Sequence, residues 1–392
     1  MYANQNLGTV KRFVALDSLR GVCALIVCLY HFATWSPLTE NFIADRGHLF
    51  VDFFFVLSGF VISSNYQQKL QTKLTIMNFI GLRLGRVYPL HVFMLVLFVG
   101  IECVGLHPPI AKLVGRMAFS EGHTLWDLFL NFFLLHSFNL GATLSWNAPS
   151  WSISAEFWTY VGFAISVKLF GKRSPYLMVA VVLAAPMFIF SVSTRGLDVT
   201  YDYGWIRSAY GFALGALVFY SGIWKDSTYV SERLLRWPLW TSFEIFAIAA
   251  ICVGLSQFTL TQEIFFLPGL FAIAIVVFSR ELGLVSKLLG TRPLSFVGAL
   301  SYGIYMVHAF VQARMYNGVS VLQKISGVQL TDNRLVHGVQ DRVLGTSELT
   351  GTIWTVMMIV FVVCFAWLAR KFIELPCQNW ARERFGAGAG LG

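Results

Sequence analysis

The stretch from Leu16 to Phe60 constrains this chain more than any other. It reads LDSLRGVCALIVCLYHF, then a short polar loop, then HLFVDFFFVLSGF. Both halves are strongly apolar, yet the first carries Asp17, Arg20 and His31, and the second carries Asp52 near its start. Ionisable groups inside such segments are costly in hydrocarbon, so they are retained where they do work. A fold for this chain must bring partners to these four residues.

Composition sets the class of fold. Hydrophobic residues make up 56% and charged residues 12%, about half the charged share of a soluble domain, and the mean hydropathy is +0.65. The chain is expected to be an all-α, polytopic membrane helix bundle. Residues 1–376 would form one membrane domain and residues 377–392 a short cytoplasmic tail. The N-terminus does not read as a cleavable signal, because its first apolar run is span-length and lacks a small-residue cleavage site. A crossing needs about 20 mostly apolar residues. Ten stretches qualify: 14–35, 48–66, 87–106, 150–169, 176–194, 205–223, 240–258, 263–280, 296–316 and 351–371. An eleventh, 125–140, is shorter and contains Asp127, Asn131 and His136. With ten crossings, loop charge sorts by side. One side holds Lys11 and Arg12, Lys168, Lys172 and Arg173, and Arg382 and Arg384 among others, whereas the other holds Arg46, Lys112, Arg116, Arg195, Lys324, Arg334 and Arg342. Counting 125–140 as a crossing breaks that bias, so it is expected to be an interfacial or re-entrant helix, with both termini cytoplasmic. The net charge of +9 then belongs to topology, and no nucleic-acid partner is implied. The six cysteines are scattered without CxxC pairs, so no metal site or disulfide framework is implied.

Topology assigns depth. Arg20 and His31 are eleven residues apart, about three helical turns and ~16 Å of rise, which places Arg20, Ala24, Val27 and His31 on one stripe. Asp52 and Glu156 (in WSISAEFW) fall near the outer ends of inward-running spans, and Ser301, Tyr305, His308 and Gln312 form a polar stripe on an outward one. His31, Asp52, Glu156 and His308 are thus expected at one outer depth, with Asp52 as the nearest partner for His31. At the inner side, NFIGLRLGRVYP sets Arg83 and Arg86 on one helical face. Two guanidiniums so spaced suit a phosphate or diphosphate. Trp146 and Trp151 fit an interfacial aromatic belt.

At these residues the chain resembles the acyltransferase-3 family, integral-membrane O-acyltransferases of the OafA type. The matching motifs are LDSLRGVCALIVCLYHF, FVDFFFVLSGFVI, RLGRVYPLH and WSISAEFW, with weaker ones at LSYGIYMVH and FIELP. The resemblance implies transfer of an acyl group, usually acetyl, from cytoplasmic acyl-CoA to a hydroxyl of a carbohydrate acceptor, possibly lipid-linked, with no permanently bound cofactor. It implies a bacterial inner-membrane location. Carried over, His31 would be catalytic, supported by Asp52 and Glu156; Arg83 and Arg86, with Arg20, would hold the donor; Asp17, Trp151, Tyr305 and His308 would be supporting residues. Some members continue into an SGNH-type hydrolase domain; this sequence closes on GAGAGLG, and the expectation is that acyl transfer here involves the membrane part alone. The competing reading is a proton-coupled transporter or translocator of a sugar-linked substrate, using Asp52, His31 and Glu156 as a proton relay. The sequence shows no inverted repeat to favour it.

Overall fold

The computed structural model describes residues 13–107, 117–120, 122–224, 233–257, 263–336 and 338–386. Lys11, Arg12, Lys112, Arg116, residue 258 and the closing residues 387–392 therefore lie outside the described residues. In order, the chain forms α1 (Val14–His31), a short α2 (Phe42–Asp45), α3 (Phe50–Thr72), α4 (Ile76–Gly105), a short α5 (Leu125–Phe132), α6 (Trp151–Phe170), α7 (Ser174–Val192) and α8 (Gly204–Ser221). It continues through α9 (Arg233–Gln257), α10 (Leu267–Phe278), α11 (Leu284–Leu289), α12 (Arg292–Ser326), strands β1 (Thr331–Val336) and β2 (Val339–Leu344), α13 (Glu348–Ala369) and α14 (Leu375–Gly386).

Among the described residues, seven helical segments are long and apolar enough to cross a membrane. One of them, Ala148–Val192, is 45 residues long and reverses at Gly171, whose φ of +53° suits a residue without Cβ. It therefore contains two helices, α6 and α7. Helix α8, whose composition is diluted by glycine, serine and Arg207, lies outside that set, and half-buried α10 is shorter still. Helix α5 has eight residues, about 12 Å of rise, too short to cross. Thr124 caps it reciprocally with Asp127, and the chain turns away at Leu134, with φ of +55°.

Glycines decide where the long helices cross. A Cβ on Gly21 of α1 would sit 2.5 Å from the Gly298 nitrogen of α12, and one on Gly298 would sit 2.5 Å from the Asp17 carbonyl. Between α3 and α8, a Cβ on Gly59 would lie 1.9 Å from the Phe212 carbonyl, and one on Gly215 1.8 Å from that of Val56. Backbones approach this closely only where side chains are absent, the usual way membrane helices pack without a hydrophobic driving force. Arg207, Gly211 and Gly215 recur every fourth residue along α8, so the face that docks on α3 also carries Arg207.

Two elements depart from a purely helical expectation. Helix α12 runs for 35 residues, about 52 Å, well past the ~30 Å hydrocarbon core. The segment after it forms an antiparallel hairpin with Thr331 opposite Leu344 and Val336 opposite Val339, closing through Gly338 at φ +81°. β2 is fastened to the chain just beyond α1. Leu344 N–H donates to the Ala33 carbonyl at 3.1 Å and Trp35 N–H donates to the Leu344 carbonyl at 3.1 Å. The expected tail boundary at 376 falls inside α14, which packs on α4 where Ala381 meets Gly85 and Phe385 meets Gly81.

Candidate active site

Two cavities lie back to back in the bundle and share Val51 and Tyr305. The first, of about 800 Å³, is lined by Arg20, Ser58, Arg83, Arg86, Glu156 and Tyr302, among others. The second, of about 660 Å³, is lined by Tyr30, His31, His48, Trp151, Asp198 and Arg207. Arg20, early in α1, opens on one and His31, the last residue of α1, on the other.

In the first cavity each arginine is held differently. Arg20 Nε donates to Ser301 Oγ at 2.8 Å and its guanidinium lies 3.5 Å from Asp17. Arg83 is buried, donates to Tyr66 OH at 2.8 Å and stacks 4.7 Å over that ring. Its Nε finds no hydrogen-bond partner among the described residues. Arg86 makes no hydrogen bond or ion pair with any described residue. A buried guanidinium N–H left without an acceptor is the group an anionic oxygen satisfies. The expected grouping of Arg20, Arg83 and Arg86 is therefore present.

Glu156 belongs to this cavity and not to the His31 side, where its position near the start of α6 had placed it. Its carboxylate accepts from Ser58 Oγ and Tyr160 OH. Ser58 is six residues along α3 from Asp52, about 9 Å of helix rise, so Glu156 sits at mid-depth. The first turn of α6 is buried, which moves Glu156 deeper than counting from the span's end suggests.

His31 lines the second cavity, and the buried His308 packs against its ring from outside the lining. His31 Nδ1 lies 2.8 Å from the Val27 carbonyl one turn back. A neutral ring that donates there carries its lone pair on Nε2. The His308 ring lies 5.0 Å from it, centroid to centroid, and its Nδ1 is 2.6 Å from the Tyr305 carbonyl. His308 is fully buried and its Nε2 has no hydrogen-bond partner among the described residues. Tyr305 OH donates to the Pro149 carbonyl and accepts from Ser152 Oγ, both at 2.9 Å, so the wall between the cavities is pinned to the start of α6.

Asp52 does not orient His31. Arg207 Nε and NH2 donate to its two oxygens at 2.9 and 2.8 Å, and both residues are almost wholly buried. The same guanidinium reaches the Val199 carbonyl at 3.3 Å and Asp198 at 3.5 Å, and lies over the Trp151 ring at 5.5 Å. The sequence reading passed over Arg207. Its signal was the one that exposed Asp52: a charge two residues inside an expected span, which demands a partner of opposite sign. Trp151 and Trp146 are only 6% and 4% exposed and form no lipid-facing belt; Trp151 is the floor under Arg207.

The helix bundle thus holds an arginine-lined cavity that backs onto a histidine-lined one. The model of the acyltransferase family (Acyl_transf_3, acyltransferase domain) matches residues 13–371, and the chain belongs to that family. It is similar to the peptidoglycan O-acetyltransferase OatA of Listeria monocytogenes, 28% identical over 316 residues, covering 76% of this chain and 49% of that protein. It is similar also to the acyltransferase MdmB of Streptomyces mycarofaciens, 27% identical over 260 residues, covering 58% of this chain and 62% of that one. A third relative, protein 2 in the picA locus of Rhizobium radiobacter, is 31% identical over 196 residues, 47% of this chain and 95% of its own length. The chain thus spans about half the length of the Listeria protein. No solved structure matches it.

Proposed function

We propose that this chain crosses a bacterial inner membrane ten times, with both termini cytoplasmic, and transfers an acetyl group from acyl-CoA to a hydroxyl of a carbohydrate. One observation carries the proposal: the arginine-lined and histidine-lined cavities back onto each other at Val51 and Tyr305. The relative named as a peptidoglycan O-acetyltransferase supports the acetyl group and the glycan acceptor. The transporter alternative is not favoured by membership of an acyltransferase family.

In this reading Arg83, Arg86 and Arg20 hold the phosphates of the donor, and the pantetheine arm enters the first cavity towards Tyr305. Glu156, fixed by Ser58 and Tyr160, fixes the polar groups near the thioester. The acceptor hydroxyl enters the second cavity. His31 Nε2 takes its proton as the oxygen attacks the thioester carbon; the C–S bond breaks, and the proton passes to the departing thiolate. General-base catalysis of this kind contributes about 10²–10⁴-fold. The Val27 carbonyl, 2.8 Å from Nδ1, orients the ring. The deciding experiment supplies purified protein in lipid nanodiscs with acetyl-CoA labelled in the acetyl group, together with glycans from a bacterial envelope. Label moving to glycan with release of free CoA, lost in His31→Ala, is the expected result. Transfer that survives His31→Ala at normal protein levels overturns the mechanism.

A further inference from the structure

Beyond the histidine cavity, a third and larger cleft opens between the β-hairpin and the segment that joins α1 to α3. It shares Tyr30, His48 and Asp198 with the His31 cavity, so the two are continuous along one wall. Its far wall is the hairpin, through Arg334, Leu335, Val336 and Gly338; its near wall carries Glu40, Asp45 and Arg46. The hairpin is held over this cleft at two points. At its base, β2 is hydrogen-bonded to Ala33 and Trp35, two to four residues past His31. Towards the tip, Arg334 Nε lies 3.2 Å from Glu40 and the guanidinium stacks 4.1 Å over the Trp35 ring.

The size and charge of the cleft restrict what it takes. Its accessible volume of about 760 Å³ lies within the range of about 300–1,000 Å³ that ligand pockets span, room for more than one sugar ring. Its charged groups are three carboxylates (Glu40, Asp45, Asp198) against two guanidiniums (Arg46, Arg334), with His48 beside them. Arg334 is already engaged by Glu40, and Asp198 faces Arg207. No surplus positive charge remains to draw in a polyanion. Carboxylates that accept from hydroxyl pairs, beside the Tyr30 and Phe32 rings, suit an uncharged polyol surface.

We propose that this cleft binds an uncharged oligosaccharide segment of the acceptor, and that Arg334 is a positioning residue that holds the hairpin against Trp35 and Glu40 to form its outer wall. The assignment rests on the acyltransferase reading, and it names the substrate class that the outer side admits.

The test uses the full chain in lipid nanodiscs with cellotetraose and chitotetraose as neutral probes and tetragalacturonate as the anionic one. At least one neutral tetrasaccharide should bind, more tightly than tetragalacturonate. Arg334→Ala should weaken that binding about tenfold, and Arg334→Lys should recover part of it. Asp45→Ala, at an exposed site, should weaken sugar binding severalfold. Preference for tetragalacturonate, absence of neutral binding, or an unchanged affinity in both alanine variants overturns the proposal. Sugar binding without any CoA release would instead sink the acyltransferase reading and leave the cleft standing.

Discussion

Asp52 and Arg207 form a two-point ion pair between α3 and α8, at 2.9 and 2.8 Å, with almost no exposure on either side chain. Removing one partner of such a pair leaves a buried charge alone, at a cost of about 3–5 kcal/mol, whereas replacing both with apolar groups of similar volume is often neutral. Arg207→Ala and Asp52→Ala should each lower the melting temperature of the detergent-purified protein sharply. The double variant Asp52→Leu with Arg207→Met should recover most of that loss, as read by fluorescence-detected size exclusion after heating. A double variant as unstable as the singles would show that the pair does more than neutralise itself.

The same helix pair depends on its glycines. A side chain at Gly215 has no room that a neighbour's rotamer can provide, because the obstacle is the Val56 backbone. Gly215→Val should therefore push α8 from α3, cost about 1–3 kcal/mol or more and reduce acyl transfer along with stability. Gly162→Val, where a Cβ meets nothing within 4 Å, is the matched control and should leave both intact.

Arg83 and Arg86 are expected to separate in their effects. Hydrogen bonds to charged groups contribute about 1.5–3 kcal/mol each, so Arg86→Ala should raise KM for acyl-CoA by roughly 10–100-fold. It should leave the melting temperature alone, because Arg86 bonds no described residue. Arg83→Ala should raise KM and also destabilise, since it strips Tyr66 of its donor and its stacked cation. An unchanged KM in both variants would reassign the pair to anchoring α4 at a headgroup layer.

His136 gives a pH signature. Burial, with His91 stacked 5.8 Å away, pushes its pKa down to about 3, against the hydrogen bonds to Ser150 and Leu130 that act the other way. A histidine kept neutral in the fold protonates more readily once unfolded. Its contribution to stability is therefore full above about pH 6.5 and is lost as pH falls from there towards 3. Melting temperatures measured from pH 7 to pH 4 should fall less steeply in His136→Gln than in the wild type. Parallel curves would exclude this group as a source of acid sensitivity.

The helical membrane architecture was legible because apolar runs of span length leave few alternatives, and Arg83 and Arg86 were legible as a pair because helix periodicity fixes their face, with Arg20 joined to them by depth. Depth was harder to read. Glu156 is displaced from its expected level because the start of α6 is buried, with Trp151 beneath Arg207. The Asp52–Arg207 pair escaped because pairing across α3 and α8 depends on Gly59, Gly211 and Gly215, and a contact made by missing side chains leaves no apolar periodicity to follow. The hairpin escaped for a related reason: TDNRLV and VQDRVL mix charges on both faces, so neither strand alternates cleanly.

Val51 and Tyr305, which both cavities touch, also carry an obligation that has nothing to do with chemistry. Were the membrane crossed as proposed, two openings would approach each other from opposite aqueous compartments, and a continuous path between them would discharge the electrochemical gradient of the host. Each elementary charge that slipped through would release about 2.3 kcal/mol per 100 mV. The tyrosine pinned by Pro149 and Ser152 would then insulate that gradient as well as wall the two cavities. Tyr305→Gly should make liposomes that contain the protein leak protons, whether or not they hold any substrate.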